Sequence, residues 1–166
     1  MVDDSEDELI LITRFLQSVP DFSLIGVLPG GAEALSYLQG TSGFDDCTKF
    51  PYPDLLLLDY QMPLRNGIDV LTSLSLEKIR PRVILWSNSL ELINRKMAMQ
   101  LGADLVCRKP SNALELKAIF NQLSWPVAVS PPVQPRPVSG LITLRNGRQE
   151  AEMRAGIERT GICDRR

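Results

Sequence analysis

Five polar side chains come at or just past the ends of short apolar stretches in the sequence. They are Asp3, Asp4, Asp59, Ser87 and Lys109. If the apolar stretches are parallel strands, their carboxyl ends meet at one edge of a sheet, where open α/β sheets bind ligands. The five groups would then share one shallow pocket.

Three carboxylates in one pocket repel each other, and a hard divalent cation such as Mg²⁺, which prefers oxygen ligands, relieves that repulsion. A lysine and a hydroxyl beside the cation could hold phosphoryl oxygens, because phosphoryl transfer is catalysed mainly by positioning and charge stabilisation. Aspartate carboxylates are known phosphoryl-accepting nucleophiles. The constellation therefore predicts phosphoryl chemistry at Asp59.

Each residue taken alone also has a purely structural interpretation. Asp59 could cap the following helix, and Asp3 and Asp4 could be a solvated acidic pair. Ser87 could be a helix cap, and Lys109 before Pro110 is an ordinary turn sequence in most proteins. Only the combination of these groups at neighbouring strand ends favours a functional site.

The elements that must position these groups alternate between strands and helices. Four leucines run directly into Asp59, which is typical of a strand buried on both faces. Strands are predicted over 22–27, 55–58, 82–86 and 105–107. Helices are predicted over 5–19, 34–38, 68–79, 89–101 and 111–123, with serines 5, 89 and 111 as N-caps. This alternation indicates right-handed βαβ units in a three-layer α/β fold.

Composition excludes several classes of function. Of the 166 residues 44% are hydrophobic and 23% charged, and the formal net charge is -2, so nothing indicates nucleic acid as a bulk partner. The three cysteines lack metal-type spacing, which favours reduced thiols and a cytoplasmic location. Neither a secretory leader nor a membrane span is visible. The chain has no histidine, which excludes a histidine base, a histidine ligand and a phosphohistidine of its own.

Three regions are predicted along the chain. Residues 1–125 form one α/β domain, five prolines make 126–137 a semi-rigid linker, and 138–166 form a short, disordered tail. No helix-turn-helix or other nucleic-acid-binding domain follows the first region.

The motifs resemble the receiver domain of two-component response regulators. They are Asp3-Asp4, the leucine run through Asp59 to Gly67, Val-Ile-Leu-Trp-Ser87, and Gly102-Ala-Asp followed by Lys109-Pro110. The start and the long loop before Pro53 are most similar to the stand-alone regulators of cyanobacterial phytochromes. The resemblance implies a doubly wound, five-stranded parallel sheet of flavodoxin-like order 2-1-3-4-5 flanked by helices.

The resemblance also implies roles for the acidic residues. Asp59 would accept a phosphoryl group from a histidine on a partner sensor kinase, of phytochrome type by the finer similarity. Asp4, Asp59 and the backbone carbonyl of Gln61 would bind Mg²⁺ directly, and Asp3 would act close by through water. The chain would be a signalling protein rather than an enzyme, at most catalysing its own phosphorylation and dephosphorylation.

By the same resemblance Lys109 would pair with the phosphoryl group and Ser87 would hydrogen-bond it and move toward it. The Lys109–Pro110 peptide bond would be cis. Phosphorylation would then change contacts with a downstream protein, and a homodimer is compatible with the sequence.

The sequence departs from the family pattern in three places. Only Met1 and Val2 precede the acidic pair, so the first strand is expected to be truncated and the true start to lie upstream. Val106 stands where the family has an aromatic residue whose rotation reports phosphorylation. Valine is too small for the same movement, which puts signal output through this position in doubt. Asn88 replaces a small residue beside Ser87 and is expected to slow phosphorylation or dephosphorylation.

Two alternatives remain open from the sequence. One is a receiver-like interaction module that is never phosphorylated. The other is an aspartyl-phosphate phosphatase, which is disfavoured because Gln61 stands where that class needs a second aspartate.

Overall fold

A computed structural model describes residues 1–123 as alternating helices and strands. The helices are α1 Glu6–Leu16, α2 Gly31–Gln39, α3 Gly67–Leu74, α4 Arg95–Gln100 and α5 Ala113–Asn121, and a short 3₁₀ turn spans Leu90–Leu92. The strands are β1 Leu55–Asp59, β2 Arg82–Ser87 and β3 Leu105–Arg108. The predicted linker, tail, Trp125 and Cys163 lie outside the described residues.

The three strands form one parallel sheet in the order β1-β2-β3. Leu57 is paired with Ile84, and Leu85 with Val106. All strand connections run through helices, as parallel pairing requires. The predicted α/β class with a parallel sheet is therefore confirmed.

The prediction of five strands is wrong for the described residues, since three strands form there. The truncated N-terminal strand and the strand predicted over 22–27 are reduced to isolated parallel bridges, which Val2 makes with Leu28 and with Leu58 of β1. The physical reason is length, since Met1 to Asp3 offer too few backbone groups for a longer ladder. Val2 still lies between the segment at Leu28 and β1, as the order 2-1-3 requires.

Helices cover both faces of the sheet because successive strand residues point to opposite sides. Val83 and Leu85 of β2 pack into a core beneath α2 and α3. Ile84 and Trp86 pack into a second core, to which α1 and α5 contribute. Both cores are apolar, which explains the unbroken hydrophobic strand sequences.

One of the predicted N-caps forms and two do not. Ser5 caps α1, its hydroxyl accepting a hydrogen bond from the Glu8 amide. Asn94 and Asn112, rather than Ser89 and Ser111, cap α4 and α5. Serine and asparagine are about equally strong N-cap residues, so the backbone geometry at the helix start decides which of them caps.

The region predicted as a fourth helix is shorter than expected because a 3₁₀ turn and the Asn94 cap divide it. The apolar spacing predicts an inner face of four residues, Leu90, Ile93, Met97 and Leu101. Ile93 is buried and Leu90 and Leu101 pack against the core, whereas Met97 is 44% exposed, so the prediction is wrong for Met97.

Cys107 is a free thiol, as predicted. Burial raises the pKa of the Cys107 thiol to about 11, and the charge of Arg95 opposes that rise only in part. Cys107 is therefore a weak nucleophile at neutral pH. Over the same residues, no helix is both long and apolar enough to cross a bilayer.

Gly67 at the start of α3 allows this helix to approach the end of β1. A Cβ at Gly67 would lie 2.5 Å from Leu85 Cδ1 and 2.6 Å from the Asp59 carbonyl oxygen. We expect Gly67→Ala to lower the free energy of unfolding by about 1–3 kcal/mol, because the backbone at Asp59 must shift. Urea denaturation followed by circular dichroism measures the change.

Gly26→Ala is the matched control. Its Cβ would meet nothing closer than Tyr37 Cε2 at 3.7 Å, so stability should change by less than about 0.5 kcal/mol. Equal destabilisation by the two alanines would show that close approach at Gly67 is not the cause.

Candidate functional site

The backbone hydrogen bonds of the sheet bring the predicted site residues to one edge. The Asp59 amide donates to the Val2 carbonyl at 3.0 Å, which aligns Asp3 with the end of β1. The Lys109 amide donates to the Ser87 carbonyl at 3.1 Å, which aligns the ends of β2 and β3. The predicted convergence of strand ends at this edge is what the structure shows.

The three aspartates form one acidic cluster. Carboxylate oxygens of Asp3, Asp4 and Asp59 all lie within 4.8 Å of one another. Asp3 and Asp59 are buried, whereas Asp4 is exposed and opens the cluster to solvent. An all-oxygen set of carboxylates with one open side fits a hard divalent cation that keeps several waters.

Lys109 is the cation of this site. Its Nζ lies 2.8 Å from Asp3 Oδ2 and 3.0 Å from Asp59 Oδ1, and it also forms an ion pair with Glu8. Burial acts to lower the pKa of Lys109, but the hydrogen bonds to these three carboxylates outweigh it and raise the pKa above its usual range. Lys109 therefore stays charged at every physiological pH.

All of the described peptide bonds are trans, including the bond between Lys109 and Pro110. The cis bond implied by the resemblance is therefore wrong for this structure. The trans form is the intrinsically favoured one for a bond before proline.

Asp59 is held through both of its carboxylate oxygens. Oδ1 faces Lys109, and Oδ2 accepts a hydrogen bond from the Gln61 amide at 3.1 Å. Burial raises the pKa of Asp59 to about 6, although Lys109 opposes the rise. The Gln61 backbone therefore fixes the carboxylate, and the role of its carbonyl as a metal ligand stays a prediction.

Ser87 lies at the end of β2 and is 1% exposed. Its hydroxyl oxygen accepts a hydrogen bond from the Ser89 amide at 3.1 Å, which ties the side chain to the loop that follows β2. Ser87 is thus at the predicted edge but is bonded to its own loop rather than to Asp59 or Lys109. Its contact with a phosphoryl group stays a prediction.

Glu8 and Asn88 complete the site, and reasoning from the sequence did not place Glu8 there. Glu8 pairs with Lys109 through Oε2, and its Oε1 accepts a hydrogen bond from Asn88 Nδ2 at 2.7 Å. The available signal was position, since Glu8 lies in the first turn of a helix that begins three residues after Asp3. The spacing of Glu8 from the Ser5 N-cap also fits a capping box, in which the Glu8 side chain would turn back to the Ser5 amide instead.

The loop after Asp59 carries a strained, exposed leucine. Leu64 has φ +66° and is fully exposed. Left-handed backbone costs a leucine about 1–2 kcal/mol, and asparagine tolerates it better. We expect Leu64→Asn to raise the free energy of unfolding by about 0.5–1 kcal/mol in urea denaturation.

Leu76→Asn separates strain relief from the loss of an exposed apolar side chain. Leu76 is 84% exposed and has no positive φ. Its substitution should leave stability within about 0.5 kcal/mol. A gain at Leu76 as large as that at Leu64 would contradict the strain explanation.

A family model for the response regulator receiver domain matches residues 1–121. Among curated relatives, the transcriptional regulatory protein CpxR of Escherichia coli (strain K12) is 35% identical over 126 residues, covering 74% of this chain and 49% of that protein. A protein-glutamate methylesterase/protein-glutamine glutaminase of Halalkalibacterium halodurans is 32% identical over 142 residues, covering 84% of this chain and 38% of that protein. The chain thus spans about half or less of the length of these two relatives.

Similar solved structures include regulators associated with phytochromes. The bacteriophytochrome response regulator RtBRR is 26% identical with a TM-score of 0.63, covering 79% of this chain and 81% of that one. The response regulator RPA3017, from red light signalling of R. palustris, is 25% identical with a TM-score of 0.63, covering 80% and 96%. Rcp1 in its Mn²⁺-bound form shares the fold at 23% identity and a TM-score of 0.59, covering 80% and 96%.

The family model covers the whole stretch that carries the site, from Asp3 to Lys109. The chain therefore belongs to the response regulator receiver domain family.

Proposed function

We propose that the protein is a phosphorelay response regulator in which Asp59 accepts a phosphoryl group from a histidine of a partner sensor kinase. The observation that carries the proposal is the Lys109 ammonium, which bonds both Asp3 and the Asp59 carboxylate at a buried edge. None of the 166 residues is a histidine, so the donor histidine lies outside them.

The acidic cluster supports a role for Mg²⁺. Asp3, Asp4 and Asp59 would hold the cation, and the Mn²⁺ of the Rcp1 structure supports a divalent ion. Such a cation would supply positive charge that offsets the negative charge of the transferring phosphoryl group. The exposed position of Asp4 leaves a path by which both cation and donor can reach the buried Asp59 carboxylate.

The transfer itself is a displacement at phosphorus. A carboxylate oxygen of Asp59 forms the new P–O bond while the P–N bond to the donor imidazole breaks, and the electron pair returns to the imidazole nitrogen. Lys109 balances the added negative charge, and Ser87 can donate its hydroxyl hydrogen to a phosphoryl oxygen. The Gln61 amide keeps the acceptor carboxylate oriented during the approach.

The output is a change in protein contacts around β3 and its neighbouring helices. Exposed apolar side chains there provide a surface for a downstream protein or a second copy. They are Leu92, Met97, Met99 and Leu114. Val106 is 2% exposed and carries no aromatic ring. The change in protein contacts must therefore run through other side chains. The similarity to RtBRR and RPA3017 favours a partner sensor kinase of phytochrome type.

Acetyl phosphate with Mg²⁺ tests the proposal directly. We expect wild type to gain the mass of one base-labile phosphoryl group and Asp59→Asn to gain none. Asp54→Asn is the matched control, because Asp54 is exposed at the opposite end of β1. No gain on folded wild type would favour the unphosphorylated interaction module, and equal gain on Asp59→Asn would assign the phosphoryl group elsewhere.

A further inference from the structure

Glu8 is a third carboxylate on Lys109 that the phosphoryl transfer described above does not use. Lys109 Nζ contacts Asp3 and Asp59 on one side and the Glu8 Oε2 atom on another. The Lys109 side chain is 8% exposed, so solvent screens this contact only weakly. One ammonium therefore serves three competing negative groups.

Asn88 holds Glu8 in this position from the other side of the site. Its Nδ2 donates to Glu8 Oε1 at 2.7 Å, while Glu8 Oε2 faces Lys109. Asn88 directly follows Ser87, whose hydroxyl is bonded to the Ser89 amide. The Glu8 carboxylate thus connects α1, the loop after β2 and the end of β3.

A phosphoryl group on Asp59 would change the balance of charge at Lys109. It brings about 1.5 to 2 negative charges and three strong acceptor oxygens. Glu8 places a negative charge on the same ammonium that faces Asp59, so it competes with a phosphoryl group on Asp59 for Lys109.

We propose that Glu8 is a positioning residue that holds Lys109 and the Asn88 loop in the unphosphorylated arrangement and releases Lys109 when a phosphoryl group binds at Asp59. The proposal rests on the proposed function of Asp59 and adds a residue that sets how readily the site accepts a phosphoryl group. Removing the Glu8 charge should favour the phosphoryl-bound arrangement. Removing Asn88 should weaken the hold on Glu8 without removing its charge.

Beryllium fluoride with Mg²⁺, a phosphoryl analogue, is the probe, with binding to the full chain measured by calorimetry. We expect Glu8→Gln to bind it about tenfold more tightly than wild type, because one unit charge is lost beside a partly buried anion site. The rate of labelling by acetyl phosphate should rise in the same direction. The dissociation constant for Mg²⁺ alone should stay within about threefold, because Glu8 is outside the acidic cluster.

Glu6→Gln is the matched control. Glu6 lies in the same first turn of α1, is exposed, and is not one of the three carboxylates on Lys109. The Glu6→Gln substitution removes one negative charge from the same helix turn but leaves the contacts of Lys109 intact. It should therefore change beryllium fluoride binding by less than about twofold.

A double-mutant cycle tests whether Asn88 acts through Glu8. Asn88→Ala alone should tighten binding by about threefold, and adding it to Glu8→Gln should have little further effect. A purely structural role for the two residues would instead give additive losses of stability with no gain in binding.

The outcomes separate this proposal from the proposed function. If wild type and Glu6→Gln bind the analogue but Glu8→Gln binds no better than Glu6→Gln, the role of Glu8 is wrong and the function of Asp59 stands. If all folded variants fail both to bind and to be labelled, both proposals fall.

Discussion

Lys109→Met lowers the free energy of unfolding by about 3–5 kcal/mol at neutral pH in metal-free buffer, the cost of leaving buried charges without their partner. The Lys109 ammonium contacts Asp3, Asp59 and Glu8, and the first two carboxylates are almost fully buried. Methionine keeps most of the apolar stem and removes the charge. The three carboxylates must then repel each other, take up protons or draw water into the site.

Two further measurements show whether charge is the cause. The difference in free energy of unfolding between wild type and Lys109→Met should shrink as the pH falls toward 4, because the carboxylates that lost their partner become protonated. Adding Asp59→Asn to Lys109→Met should recover about 1–2 kcal/mol by removing one of the repelling charges. Both are read from urea denaturation curves over a series of pH values.

Lys117→Met provides the baseline for the same substitution. Lys117 is exposed on α5, so its replacement should change stability by less than about 0.5 kcal/mol. A deficit at Lys109 that is independent of pH and untouched by Asp59→Asn would point to lost packing and against the ion-pair explanation.

The strand ends were predictable because hydrophobic patterning carries that information. The leucine run before Asp59 and the Val-Ile-Leu-Trp run before Ser87 can only be buried strands, and parallel pairing then brings their carboxyl ends together. The placement of Asp59 and Ser87 follows from these two runs, and that of Lys109 from the shorter apolar stretch over 105–107. Asp3 follows only Met1 and Val2, so its placement depended on the resemblance to receiver domains. That Lys109 lies within hydrogen-bond distance of both Asp3 and Asp59 is known only from the structure.

Glu8 could not be placed from its sequence position with the same ease. Its spacing from Ser5 fits a capping box, and the Glu8 amide is indeed bonded to Ser5. The side chain instead turns toward Lys109, a residue that follows it by about a hundred positions. A contact between such distant residues depends on how α1 is docked on the sheet, which local patterns do not encode.

The number of strands and the helix caps were missed for local reasons. The bridges of Val2 to Leu28 and Leu58 keep the predicted neighbours, but single bridges do not make strands. For α4 and α5, a serine and an asparagine both lay within a few residues of the helix start, and only backbone geometry decides which becomes the cap.

Asp59→Asn should stabilise the metal-free protein at neutral pH by up to about 3 kcal/mol. Burial raises the pKa of Asp59 from an ordinary value of 3.8 to about 6, so the folded state prefers the protonated acid. Since each pKa unit corresponds to about 1.4 kcal/mol, ionising this group in the fold costs about 3 kcal/mol. Asparagine keeps the shape and removes that cost, but its single acceptor oxygen can serve either the Lys109 or the Gln61 contact, and the loss of the other contact sets the gain below this limit.

The sign of the pH dependence follows from the protons bound in each state. Between about pH 4 and 6 the folded protein holds a proton on Asp59 that the unfolded chain has released, so wild-type stability falls as the pH rises through this window. The Asp59→Asn variant has no carboxylate at this position, so its stability does not fall for this reason as the pH rises. The two proteins should therefore be about equally stable below pH 4 and differ most above pH 7.

Urea denaturation of both proteins from pH 3.5 to 8 with a chelator measures the difference, and Asp54→Asn at the exposed end of β1 provides the control substitution. A constant difference at all pH values would mean that asparagine stabilises by packing rather than by removing a charge.

Adding Mg²⁺ should stabilise wild type more than Asp59→Asn, because ligand binding to the folded state adds stability and the variant lacks one carboxylate of the acidic cluster. The carboxylate that destabilises the bare fold is thus the group that cation and phosphoryl donor are expected to use.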